Sequence, residues 1–65
     1  MKNTIQELRK QQKMTQEELA DLCGVTRQTI ISLENGKYNP SILLAHKIAQ
    51  VFQQTIEQVF IFDEE

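Results

Sequence analysis

Apolar residues along this chain recur at intervals of three and four rather than in alternation, a pattern that predicts helices. Ile5 and Leu8 mark the inward face of a first helix of about eight residues, IQELRKQQ, with Asn3 or Thr4 as its cap. Lys10 and Lys13 near its end complement the helix dipole, and Met14 is an apolar plug in a polar linker. Leu19, Ala20 and Cys23 share one face of a second helix. Thr15 and Glu18 form a capping box at its start, and Gly24 stops it because glycine adopts a positive φ without steric penalty. Thr26 caps a third helix whose buried face is Ile30 and Leu33. After Leu33 the run ENGKYNP reads as a loop, rich in turn residues. Ser41 caps a fourth helix, ILLAHKIAQVF, with Leu44, Ala45, Ile48, Ala49 and Phe52 as its apolar stripe. Gln53-Gln54 connects it to a short fifth helix, IEQVF, headed by a second capping box of Thr55 and Gln58, with Ile56, Val59 and Phe60 inward.

The second and third helices, with a tight turn between them and the small Ala20 where they cross, fit a helix-turn-helix over residues 16–33. Gln16, Ala20, Gly24, Val25, Ile30 and Leu33, followed by Glu34-Asn35-Gly36-Lys37, resemble the Xre/Cro–CI family, the phage repressor and Cro type. The resemblance runs from about Ile5 to Phe60 and leaves the tail outside it. It implies an all-α fold, a compact five-helix repressor-like domain. The whole chain, residues 1–65, then forms one domain. The run VFIF adds the option of a short C-terminal β extension, pairing with Met1 to Asn3 or with a second copy.

A protein of this kind is expected to read double-stranded DNA, with the second helix of the motif in the major groove. Arg27, Gln28, Ile31 and Ser32 lie on the helix face opposite Ile30 and Leu33, and the resemblance places base contacts at these positions. Gln pairs with adenine and Arg with guanine through two hydrogen bonds each, and Ile31 suits a thymine methyl. The resemblance makes Gln16 a phosphate contact and a brace for the recognition helix. Thr26, Asn35, Gly36, Lys37 and Tyr38 complete the expected phosphate set, with a Gly-turn N–H and the Lys37 ammonium as donors. Arg9 and Glu34 match family positions that form an ion pair, from which Arg9 also reaches a phosphate. An exposed pair of this kind adds only about 0–1 kcal/mol.

The net charge of −2 argues against DNA at first sight. The distribution changes that: residues 1–56 carry seven positive and five negative charges, and the remaining four acids are Glu57, Asp63, Glu64 and Glu65. Local potential, not the total, decides phosphate binding. Sixty-five residues leave no room for a separate effector or catalytic domain. With 40% hydrophobic and 25% charged residues the chain should fold. One cysteine cannot close an internal disulfide, and there is neither a signal-peptide pattern nor an apolar run long enough for a membrane, so a soluble cytoplasmic protein is expected.

Cys23 reads as a small core residue, His46 as a solvated surface residue, and Glu17 and Glu18 as first-turn acids favoured by the dipole. The sequence holds no metal motif, Gly-rich phosphate loop or nucleophile–base arrangement. No metal, cofactor or enzymatic activity is therefore expected, and nothing identifies a small-molecule effector. Ile56, Val59, Phe60, Ile61 and Phe62 form the expected homodimer interface, ahead of an acidic tail that stays off DNA. The expected function is transcriptional regulation, by repression at a palindromic operator. The alternative is a protein-interaction module such as an antitoxin-like partner.

Overall fold

The computed structural model describes residues 1–62. Among these, five helices follow one another: α1 (Ile5–Gln11), α2 (Gln16–Cys23), α3 (Arg27–Glu34), α4 (Ile42–Phe52) and α5 (Ile56–Val59). Both expected capping boxes are present. The Thr15 and Thr55 hydroxyls accept from the backbone N–H of Glu18 and Gln58, whose side chains accept from Thr15 and Thr55 N–H. Thr26 and Ser41 cap α3 and α4 in the same way from Thr29 N and Leu44 N.

The first four helices end alike. After α1, Met14 N donates to Arg9 O and Lys13 N to Lys10 O; equivalent pairs follow α2 at Gly24-Val25, α3 at Gly36-Lys37 and α4 at Gln53-Gln54. Each turn needs one residue at positive φ, and these are Lys13 (55°), Gly24 (71°), Gly36 (74°) and Gln53 (56°). Two of the four are not glycine, which leaves about 1 kcal/mol of backbone strain at each.

The core gathers one face from every helix: Ile5, Leu19, Ala20, Cys23, Ile30, Leu33, Leu44, Ala45, Ile48, Ala49, Phe52, Val59 and Phe60 are buried. Met14 packs against it from the α1–α2 linker, as its apolar character predicts.

Three details differ from the sequence pattern, and a fourth decides between the two caps it offers for α1. Helix α1 stops at Gln11 because Gln12 already bonds back as its cap. Its N-terminal donor, Ile5 N–H, is met by the Asn3 side chain, while the Thr4 hydroxyl donates instead to Gln58 O and Val59 O. Glu34 belongs to α3 rather than to the loop, held there by side chains from α1 and α2. Phe60 leaves α5 for extended backbone because it pairs with Asn3 in an antiparallel bridge, flanked by Thr4 N to Val59 O (2.8 Å) and Ile61 N to Lys2 O (2.9 Å). The C-terminal β extension is therefore this single bridge, made with the N-terminal segment.

Candidate nucleic-acid interface

Gly24 at positive φ turns the chain between α2 and α3, and Thr26 fixes where α3 begins. Its Oγ1 accepts from Thr29 N at 3.3 Å and lies 3.1 Å from Thr29 Oγ1, so the hydroxyl serves the helix first. Arg27 and Gln28 stand exposed on the first turn. Ile31 and Ser32, one turn later, are half-buried. Gln28 and Ser32 share an open groove with Thr26, Thr29, Lys37 and Tyr38. Base-edge candidates from α3 and backbone candidates from the loop after it thus line one surface.

A second groove runs beside the start of α2, lined by Arg9, Lys10, Lys13, Met14, Thr15, Gln16, Glu17 and Arg27. Four cations and one acid border it, with the positive end of the α2 dipole at its wall. Such a surface suits a phosphate run. Sequence reasoning assigned Lys10 and Lys13 to the α1 dipole and missed them here. The available signal was the position of Lys13 in the turn directly before a capped helix start.

The Arg9–Glu34 pair forms, but the expectation that it is solvent-exposed is wrong. Arg9 Nε lies 2.8 Å from Glu34 Oε2 and Nη2 3.3 Å from Oε1, with 11% and 5% of the two side chains exposed. Arg9 Nη1 donates to Met14 O at 2.9 Å, and Gln16 Nε2 donates to Glu34 Oε1 at 3.1 Å. One carboxylate at the end of α3 is thus clamped from α1 and α2. Gln16 braces the recognition helix directly.

The loop after α3 corrects another expectation. The Gly36 N–H does not point outward for a phosphate: it donates to Leu33 O at 3.0 Å, while Lys37 N donates to Ser32 O and Asn35 N to Ile31 O. These backbone donors satisfy the last carbonyls of α3, which have no partner within the regular helix. The side chains of Asn35, Lys37 and Tyr38 remain exposed.

The expected pairing surface is reduced. Val59 and Phe60 are 0% and 1% exposed in the core of their own chain and cannot reach a second copy without leaving it. Ile56 is half-buried, whereas Ile61 and Phe62 are exposed. The acidic residues 63–65 lie outside the described residues. Sequence reasoning also missed Leu22, Ile42 and Leu43, large apolar side chains that stand in solvent. Cys23 is buried, and that burial pushes its thiol above the ordinary value, with the Lys47 charge acting in the opposite direction. His46 is exposed. No helix is long and apolar enough to cross a membrane among the described residues.

A family model described as helix-turn-helix matches residues 5–59. The chain is 60% identical over 65 residues to an uncharacterized HTH-type transcriptional regulator of Archaeoglobus fulgidus, covering all of this chain and 92% of that one. It is 39% identical over 59 residues to the competence pilus inhibition repressor of Acinetobacter baylyi, covering 88% of this chain and 52% of the repressor. The crystal structure of the restriction-modification controller protein C.AhdI from Aeromonas hydrophila matches with a TM-score of 0.78 and 30% identity, over 86% of this chain and 85% of that one.

Proposed function

Since the chain belongs to the Xre/Cro–CI helix-turn-helix family of DNA-binding transcriptional regulators, we propose that it represses transcription by occupying a palindromic operator as a homodimer. The observation that carries this reading is the shared surface of α3 and its following loop, where Gln28 and Ser32 lie in one groove with Lys37 and Tyr38. In this reading Arg27 and Gln28 meet base edges, Ile31 packs on a thymine methyl, and Ser32 adds a polar contact. Lys37, Tyr38, Asn35 and Thr26 hold one stretch of sugar–phosphate backbone. Gln16, Arg9, Lys10 and Lys13 hold the other. Gly36 contributes the turn rather than an N–H. One recognition helix covers few base pairs, so a two-fold pair with half-sites about 34–36 Å apart supplies the specificity. The name of the Acinetobacter relative supports repression over activation.

Selection of binding sites from random duplex DNA tests this. A recovered palindrome, bound with an affinity that falls steeply with salt, is the expected result. Failure to enrich any sequence would sink it. The exposed Leu22, Ile42 and Leu43 favour a second reading, a protein-interaction module of antitoxin type. A tight heterocomplex from a protein without DNA affinity would select that one.

A further inference from the structure

We propose that Asn3 is a positioning residue for DNA binding: its side-chain amide fixes the end of the recognition helix and the Gly36-Lys37 turn against the N-terminal segment. This rests on the DNA reading above and adds a residue that lines neither of the two grooves assigned to DNA.

Three hydrogen bonds converge on that amide. Nδ2 donates to Leu33 O at 2.7 Å and to Met1 O at 3.1 Å, and Oδ1 accepts from Ile5 N at 3.2 Å. Leu33 O also accepts from Gly36 N, so both of its lone pairs are engaged. Met1 closes the other side: its amino group donates to Gly36 O at 2.8 Å. A Cβ built on Gly36 would already touch Met1 O at 3.5 Å. The turn that carries Lys37 is therefore tied to residues 1–3 at two carbonyls, Leu33 O and Gly36 O. The backbone of the same segment is paired with Phe60 and Ile61. The N-terminal segment, bridged to Phe60 on one side, thus holds the loop through Leu33 O and Gly36 O, while the Lys37 and Tyr38 side chains stay exposed.

The chemistry needs asparagine. One planar head must accept from the first turn of α1 and donate twice. Aspartate keeps the acceptor, and its charge suits the start of a helix, but it cannot donate to Leu33 O. Asn3→Asp therefore separates a role in capping α1 from a role in holding the loop.

The test uses the full chain, with Asn3→Asp, Asn3→Ala and, as a control, Val51→Ala, a partly buried residue packed on the core from α4. Amide hydrogen exchange and affinity for a selected duplex and a random duplex are measured over a range of salt. Asn3→Asp should speed exchange at Gly36 and Lys37 but leave Ile5 protected. It should bind both duplexes about tenfold more weakly, with a salt slope lower by about 1 as the Lys37 contact is lost. Val51→Ala should lower the melting temperature without changing affinity. A folded Asn3→Asp protein that binds within about twofold of the unmodified one, or unchanged exchange at Gly36 and Lys37, overturns the proposal. So does a Val51→Ala protein that loses as much affinity, because stability alone then explains the effect. The DNA reading fails with a different signature: the unmodified protein retains neither duplex.

Discussion

Arg9 reaches across from α1 to hold Glu34 in the last turn of α3, Nε to Oε2 at 2.8 Å, with both side chains largely out of water. Burial changes what the pair is worth. An exposed pair contributes about 0–1 kcal/mol, whereas removing one partner of a buried pair strands a charge and costs roughly 3 kcal/mol. Gln16 Nε2 and Met14 O add further bonds, so the clamp also sets where α3 stands relative to α2. A double-mutant cycle of Arg9→Ala and Glu34→Ala by urea denaturation should give a coupling of roughly 2 kcal/mol. A coupling near zero would mean that water screens the pair after all.

Gln28 is exposed on the first turn of α3 and lines the groove with Lys37. Gln28→Ala should weaken binding to the selected operator by about 1–3 kcal/mol and barely change binding to random duplex. Equal loss on both would remove Gln28 from base reading and leave it a backbone contact.

Lys13 and Gln53 both occupy the left-handed region at helix ends, yet glycine should act differently at the two. Gln53→Gly relieves the strain at a site outside the proposed DNA surface and should raise stability by at most about 0.5 kcal/mol, net of the extra freedom glycine gives the unfolded chain. Lys13→Gly should stabilise by a similar amount. It should also weaken DNA binding and lower the salt slope by about 1, because Lys13 lines the cationic groove. Thermal melts read the first effect and salt titrations the second. A Lys13→Gly protein with unchanged salt slope would place that ammonium off the phosphates.

Burial raises the Cys23 pKa, and the sign of the consequence follows. Above the ordinary thiol value of 9.0 the unfolded chain ionises while the folded chain keeps its proton. The unfolded state then binds fewer protons, so stability present at neutral pH falls as pH rises through the alkaline range. Cys23→Ala should flatten the melting temperature between neutral and alkaline pH. An equally steep fall in that variant would assign the effect to other groups.

Periodicity and caps made the helices legible, because Thr15, Thr26, Ser41 and Thr55 act within three residues of themselves. What stayed hidden was nonlocal. Nothing in the spacing tells that Asn3, rather than Thr4, meets the first donor of α1 and bonds to Leu33, thirty residues away. The burial of Arg9 and Glu34 depends on how α1 packs beside α3. Gly36 reads correctly as a turn residue, yet local reasoning gives its N–H to a phosphate because it does not count the carbonyls that α3 leaves over. Lys10 and Lys13 were visible as charges, but a groove exists only once α1 and α2 are folded together.

The same distinction governs the C-terminus. Val59 and Phe60 complete the core, and Phe60 is pinned by its bridge to Asn3. Ile61 bonds to Lys2 O through its N–H, which fixes its backbone while leaving its side chain 36% exposed, and Phe62 beyond it is 53% exposed. Two large apolar side chains held at the end of a small domain favour self-association, with Ile56 half-buried at the edge of the same segment. The bridge also lowers the ordering cost of pairing, since the backbone through Ile61 is already fixed. Ile61→Ser with Phe62→Ser should therefore leave a folded monomer, because neither residue belongs to the core, and should weaken operator binding much more than binding to a single half-site. Sedimentation and half-site titrations read the two effects separately. An unmodified protein that sediments as a monomer at tens of micromolar, roughly the range where a weak dimer would form, yet grips a full operator tightly, would show that Ile61 and Phe62 do not pair.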